Sequence, residues 1–241
     1  MGRQLDDAEI EALQTRRDEV RAKALASIAS WYVPWLHLCV TAGIGVAGAV
    51  AAVWHLHDVR AIEWLVVPGV FTLSNAVEWR AHRNVLHRRW RPIAVLYDRH
   101  TPMHHMVFQY HDMAMRSSRE FALVLIPSAG VAAVIAMLAP FAYIAGRFVT
   151  PNCGWLVLMT GSLYVMTYEL THLAYHLPPD SFIGRLSLIR VLREHHARHH
   201  DPRLMQKWNF NVTVPLFDWV YGTIAKGETL EKIGIREEKP V

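Results

Sequence analysis

The 241-residue sequence is short of charge and of cysteine. Asp, Glu, Lys and Arg together make up only 19% of it, against about 25% in soluble domains. Apolar residues reach 52% and mean hydropathy is positive, +0.13. This balance points away from an ordinary soluble domain. The two cysteines, Cys39 and Cys153, lie in or beside apolar runs, which excludes a disulfide framework and a thiolate metal site. No HExxH-type motif is present, so the usual zinc-hydrolase signature is missing. A cleavable secretory signal is also absent: the first 23 residues are heavily charged, from Asp6 and Asp7 through Arg16, Arg17 and Asp18 to Lys23, and an apolar region arrives too late. Later apolar segments are therefore expected to stay as anchors. The net charge of +4 is modest and gives no reason to expect a nucleic-acid partner.

What the chain does contain is long uncharged runs. Residues 24–57 carry no Asp, Glu, Lys or Arg, and residues 121–146 and 148–168 are likewise uncharged. Each meets the roughly 20-residue requirement for crossing hydrocarbon. A fourth stretch, residues 64–77, is short and interrupted by Pro68-Gly69; with Ala61, Ile62 and a snorkelling Glu63 it reaches span length. Lys and Arg support four spans. Of the 25, all but Arg60 and Arg147 fall before the first run, between 78 and 120, or after residue 177. Four spans place those three regions on one side, the cytoplasmic one by the positive-inside rule. The expected fold is all-α, a multi-pass membrane protein of about four transmembrane helices with a cytosolic helical cap. The expected division is a cytosolic amphipathic helix over 1–30 (Leu5, Ile10, Leu13, Val20), a membrane catalytic domain over 31–223, and a tail over 224–241. Nothing at the C-terminus matches an ER retrieval signal, so a bacterial plasma membrane is favoured slightly over ER.

Fifteen histidines are the most unusual feature of the composition. Ten form four groups: His82 and His87; His100, His104 and His105; His172 and His176; His196, His199 and His200. All begin at or just beyond the same-side end of an apolar run. The hairpin of 121–146 and 148–168 returns the chain to the side it left, so groups before and after it face one compartment. Imidazoles three or four apart share a helix face. His82 and His87, five apart, diverge by about 140° on an ideal helix, so they serve different metals or lie where the helix distorts. Roughly eight to ten imidazoles are too many for one tetrahedral zinc and suit two ions of higher coordination. Glu78, Glu169 and Asp201 lie near enough in sequence to accept spare imidazole N–H groups. His37, His55 and His57 read as ordinary surface histidines, His111 is doubtful, and His195 is an alternative to His196. A histidine-rich metal transporter or sensor is the rival reading. It would place ionisable ligands at mid-span, where only His37 lies.

The four groups in order resemble the histidine boxes of the fatty acid hydroxylase and sterol desaturase superfamily. His82 and His87 match the first box, and His100, His104 and His105 the second. His172 and His176 match the third, and His196, His199 and His200 the fourth. The segment 209–223, NFNVTVPLFDWVYGT, is similar to the stretch that follows the last box. Asn211 stands where a glycine is common, and the third box lacks the extra histidine that some members carry. The resemblance implies two iron ions held by these histidines, for which zinc may substitute in preparations. It also implies O2-dependent hydroxylation or desaturation of a lipid drawn from the bilayer. Electrons would come from a separate cytochrome b5-, ferredoxin- or reductase-type donor, since no such domain is fused to the chain.

Overall fold

The computed structural model describes residues 7–234. Of the positions that suggested an amphipathic N-terminal helix, Leu5 and the side chains of Ile10 and Leu13 lie outside what it describes, as do residues 235–241 of the tail. Among the described residues all regular structure is helical, apart from one isolated bridge between Gln109 and Asp112.

Four helical passes form the body. The first is α2 (Pro34–Trp54). The second joins a 3₁₀ stretch (Ala61–Leu65) to α3 (Val66–Ala81), which together reach about 30 Å. The third is α7 (Ser128–Ala136) followed by α8 (Ala139–Phe148), and the fourth is α9 (Pro151–Tyr175). Prolines open α2 and α9, where a missing N–H costs nothing. Pro34–Trp54 and the stretch Ser118–Phe148 are long and apolar enough to cross a membrane. Helix α9 is longer than α2 but more polar. It sits at the centre, against α2, α3 and α8. Close approach there needs small residues. A Cβ on Gly48 would lie 2.6 Å from the Ser162 hydroxyl, and one on Gly154 would lie 2.5 Å from the Ala142 carbonyl.

Both short connections meet at one end of the body. Buried Glu63 accepts from the Thr150 hydroxyl, from Asn152 Nδ2 at 3.2 Å and from Arg60 N at 2.7 Å. Asn152 also bonds both backbone groups of His57. Glu63 is therefore not snorkelling: it clasps the start of the second pass to the start of the fourth. The opposite ends of the second and fourth passes carry histidine groups: His82 caps α3, and His172 and His176 lie at the end of α9.

Two expected boundaries shift. The run 121–146 is not one helix. It starts as α6 (Phe121–Val124), opens at Leu125–Pro127, and resumes as α7. The residue before a proline avoids helical geometry. The freed backbone groups find side-chain partners: Glu169 accepts from Ile126 N at 2.9 Å, His37 Nε2 bonds Ile126 O at 3.0 Å, and His104 Nδ1 bonds Leu123 O at 2.9 Å. Irregular backbone among apolar helices is stable only with such internal partners. The run expected to end at Tyr168 continues to Tyr175 as part of α9, so Glu169 and His172 ride on the same rigid helix.

A cap covers the histidine-bearing end. It includes α4 (Ala94–Arg99), α5 (His105–Val107), α10 (Ser187–His199), α11 (Leu216–Val220) and α12 (Glu228–Glu231). The N-terminal α1 (Asp7–Ala26) is docked onto it rather than solvated throughout. Arg21, only 3% exposed, pairs with buried Glu120 at 2.8 Å and donates to the Val107 carbonyl at 3.1 Å. Val20, Ala24, Leu25 and Ile28 pack around the same core.

Candidate metal centre

All ten histidines of the four groups converge, and none is more than 8% exposed. They sort into two sets of five. One set is His82, His87, His100, His105 and His199; the other is His104, His172, His176, His196 and His200. Within each set the ligand atoms lie within 4.8 Å of one another. Backbone geometry explains the sorting. Residues 82–86 and 100–104 form π-helical turns, whose i→i+5 bonding returns residues five apart to one face. His82 and His87 therefore share a set, as do His100 and His105, while His104 is turned to the other. On the regular helices α9 and α10 the four-apart pairs His172/His176 and His196/His200 stay together, and His199 faces across. Adjacent His104 and His105 thus serve different sets, as do His199 and His200. The rings of His105 and His200 stack at 4.1 Å between the sets.

The second ring nitrogen decides what the first can do. His82 Nδ1 bonds Phe210 O, His199 Nδ1 bonds Trp208 O at 2.9 Å, and His200 Nδ1 bonds Phe108 O at 2.6 Å. His104 Nδ1 bonds Leu123 O and His176 Nδ1 bonds Met113 O, each at 2.9 Å. A carbonyl only accepts, so each of these Nδ1 atoms carries the proton and each Nε2 presents a bare lone pair. His87 is fixed the same way. Thr101 gives its hydroxyl proton to Leu86 O at 2.7 Å and so accepts from His87 Nδ1 at 3.1 Å. His87 Nε2 and His199 Nε2 nevertheless lie 2.8 Å apart. Two lone pairs at that distance repel unless a cation lies between them. The other inward Nε2 pairs, from 2.9 to 3.2 Å, match the ~3.0 Å between cis nitrogens each about 2.1 Å from one ion. His176 Nε2 is buried with no partner. The donor set fits metal ions, and imidazole suits iron and zinc alike. Burial holds His104 and His199 down to about 4, so both are neutral and ready to ligate at physiological pH.

A fatty acid hydroxylase family model matches residues 65–223, about two thirds of the chain and all four histidine groups. The chain belongs to the fatty acid hydroxylase family. No curated protein and no solved structure matches it.

In this hydroxylase-family chain the three expected carboxylate partners of the imidazoles are engaged elsewhere. Glu78 accepts from Tyr164, Thr213 and the backbone of Val212 and Thr213. Glu169 accepts from Ile126 N, and Asp201 pairs with Arg203. Sequence proximity misled: the spare ring nitrogens of His82, His104, His176, His199 and His200 take backbone carbonyls instead, and that of His87 takes Thr101. The carboxylate that matters was missed. Asp218, fully buried, accepts from Phe210 N at 2.9 Å, Asn211 N at 2.8 Å, Thr223 Oγ1 at 2.6 Å and His195 Nε2 at 3.0 Å. It thereby fixes the loop whose Trp208 and Phe210 carbonyls orient His199 and His82. Burial works against its charge, but the bonds from His195, Thr223 and Asn211 win and hold its carboxyl below the ordinary value. The sequence signal was the tail segment 209–223 itself, which contains Asp218.

The remaining histidines stay out of both sets. His195 bonds Asp218, and the histidine at that point that joins the second set is His196. His111 is exposed against Tyr110, His55 stacks on Trp155, and His57 is exposed. His37 has a structural part: its Nε2 holds Ile126 O at 3.0 Å and its Nδ1 accepts from the Tyr32 hydroxyl at 2.9 Å. A cavity of about 100 Å³ reaches His100, His104 and His172, walled by Leu86, Leu96, Leu125 and Tyr168.

Proposed function

We propose that this chain is a membrane di-iron oxygenase that hydroxylates or desaturates a C–H bond of a lipid. The observation that carries the reading is the pair of bare nitrogens on His87 and His199, set among ten buried imidazoles beside an apolar cavity. Each set of five would hold one iron, and the family membership favours iron over the zinc that a preparation may contain. Bound iron would supply O2 activation. The balance is RH + O2 + 2e⁻ + 2H⁺ → ROH + H2O, with both electrons from a separate donor protein; desaturation would use the same O2, electrons and protons, take two hydrogens from the chain and give an alkene and two H2O.

The protein's own residues do the rest. Backbone carbonyls and Thr101 keep six of the ten imidazoles in the ligating tautomer, which lowers the reorganisation needed on binding. Leu86, Leu96, Leu125 and Tyr168 exclude water and accept a methylene chain from the bilayer. Four membrane crossings accommodate this arrangement. Trp35, Leu36, Val50, Phe141 and Phe148 are exposed on the passes, an apolar surface that suits lipid rather than water. The concentration of Lys and Arg at the histidine-bearing end supports a cytoplasmic site. Lipid mass spectrometry of cells expressing the chain, compared with the His172→Ala, His199→Ala double variant, tests the reading. A new hydroxylated or unsaturated lipid that vanishes in the variant is expected; identical profiles would overturn it.

A further inference from the structure

A second cleft, of about 520 Å³, opens beside the passes between the start of α2 and the cap. It is lined by Trp31, Tyr32, Leu36, Val40, Met103 and Ser128 among others. Three residues line both this cleft and the smaller cavity at the histidines: Arg99, Leu123 and Pro127. The two spaces therefore abut, and the neck between them is an arginine against two apolar side chains. The wall on the apolar side is the opened backbone at Leu125–Pro127, held by His37 and Glu169.

Arg99 differs from the arginines near it. Arg89 is paired with Asp98 at 2.8 Å, and Arg116 with Asp18 at 3.0 Å. Arg119 is used up on the carbonyls of Ile28 and Ala29. Among the described residues Arg99 has one hydrogen bond, from Nη2 to the Ala122 carbonyl at 2.8 Å, and no carboxylate partner. Arg99 lines both spaces, and that bond leaves most of its donors for a ligand. A guanidinium presents a planar fork suited to a carboxylate or phosphate. The rest of the cleft wall is largely apolar, with Trp31, Leu36 and Val40 exposed at its rim.

We infer that this cleft is the substrate's portal and that Arg99 binds an anionic headgroup there, so that the preferred substrate is an acyl lipid with an anionic head. The inference rests on reading the histidine site as a lipid oxidase. The inner cavity limits what passes the neck. At about 100 Å³ it is small beside the 520 Å³ cleft and has room for only a short stretch of chain. A headgroup seated at Arg99 therefore fixes the register of the chain, and the bond attacked lies only a few carbons from the neck.

The test uses metal-loaded, zinc-substituted protein in lipid nanodiscs, so that no turnover is needed. Two photoreactive probes of equal chain length, a diazirine fatty acid and the matching diazirine fatty alcohol, are cross-linked and the labelled peptides are mapped. The expected result is labelling of peptides 27–40 and 121–128. Arg99→Met should lower the acid's yield roughly tenfold and leave the alcohol unchanged, and Arg99→Lys should restore most of it. Metal content stays at the wild-type value in both variants, which shows that the site is intact. Equal labelling by acid and alcohol in the wild type, or equal loss of both in Arg99→Met, overturns the headgroup assignment. Absence of label from both peptides overturns the portal. Failure of the oxidase reading shows separately, in the lipid survey.

Discussion

Removing the carboxylate of Asp218 should unseat one metal and spare the other. Asp218 accepts from the buried backbone N–H groups of Phe210 and Asn211. In Asp218→Ala both lose their acceptor inside the protein, at about 1–3 kcal/mol each. The sum, roughly 2–6 kcal/mol, is a large share of a typical 5–15 kcal/mol domain stability. The loop then loosens where its Phe210 and Trp208 carbonyls fix His82 and His199. Both histidines belong to the first set. The second set takes its carbonyl support from Leu123, Met113 and Phe108, which Asp218 does not touch. Losing such support costs about 10–100-fold in metal affinity. The assay is metal content by elemental analysis across a graded chelator series in nanodiscs, with thermal unfolding as the control for fold. Asp218→Asn, which keeps one acceptor oxygen, provides a milder variant if the alanine protein does not fold. Metal should fall from two per chain to a plateau near one. Parallel loss from both sites, or no change in a folded variant, would refute the division of support between the loop and the cap.

Single alanines at His87 and at His176 should each leave one metal per chain and abolish lipid oxidation, because each set loses a member while the other keeps five. Metal analysis beside product detection checks this, and retention of two metals in either variant would contradict it. Metal-free protein should lose stability as pH falls from about 6.5 toward about 4. Burial holds His104 and His199 near about 4 when folded, so the unfolded chain binds protons that the folded one refuses. Above about 6.5 neither state binds them and this contribution vanishes; denaturation midpoints across that window should slope, and a flat profile would be contrary. Gly154→Ala should cost about 1–3 kcal/mol by overpacking, since its Cβ would meet the Ala142 carbonyl at 2.5 Å. Gly69→Ala, with nothing within 4 Å, should be close to neutral in the same unfolding assay.

Much of this arrangement was legible in the residues. Uncharged runs locate the passes, and ten histidines beyond the runs mark the two groups that could hold metal ions. What the sequence could not supply was the sorting into two sets. A regular helix predicts that His100 shares a metal with His104 and that His196 shares one with His199. The π turn separates the first pair, and on α10 His200, four residues on, joins His196 and leaves His199 to the other set. Such a turn has no simple residue signature. The supporting shell was also hidden: carboxylates close in sequence, Glu78, Glu169 and Asp201, turn to other work. Asp218, distant from every box but the last, fixes the ring orientations through a loop. The break at Leu125–Pro127 was signalled by Pro127, yet its partners His37 and Glu169 lie on α2 and α9 and emerge only when the passes pack.

The central claim is that two ions sit in separate all-imidazole sets. X-ray absorption at the iron edge of iron-loaded protein, with elemental analysis on the same sample, tests it most directly. Two irons per chain are expected, with a nitrogen-dominated shell and the outer-shell scattering of several imidazoles. One iron per chain, or a shell dominated by carboxylate oxygen, would contradict it.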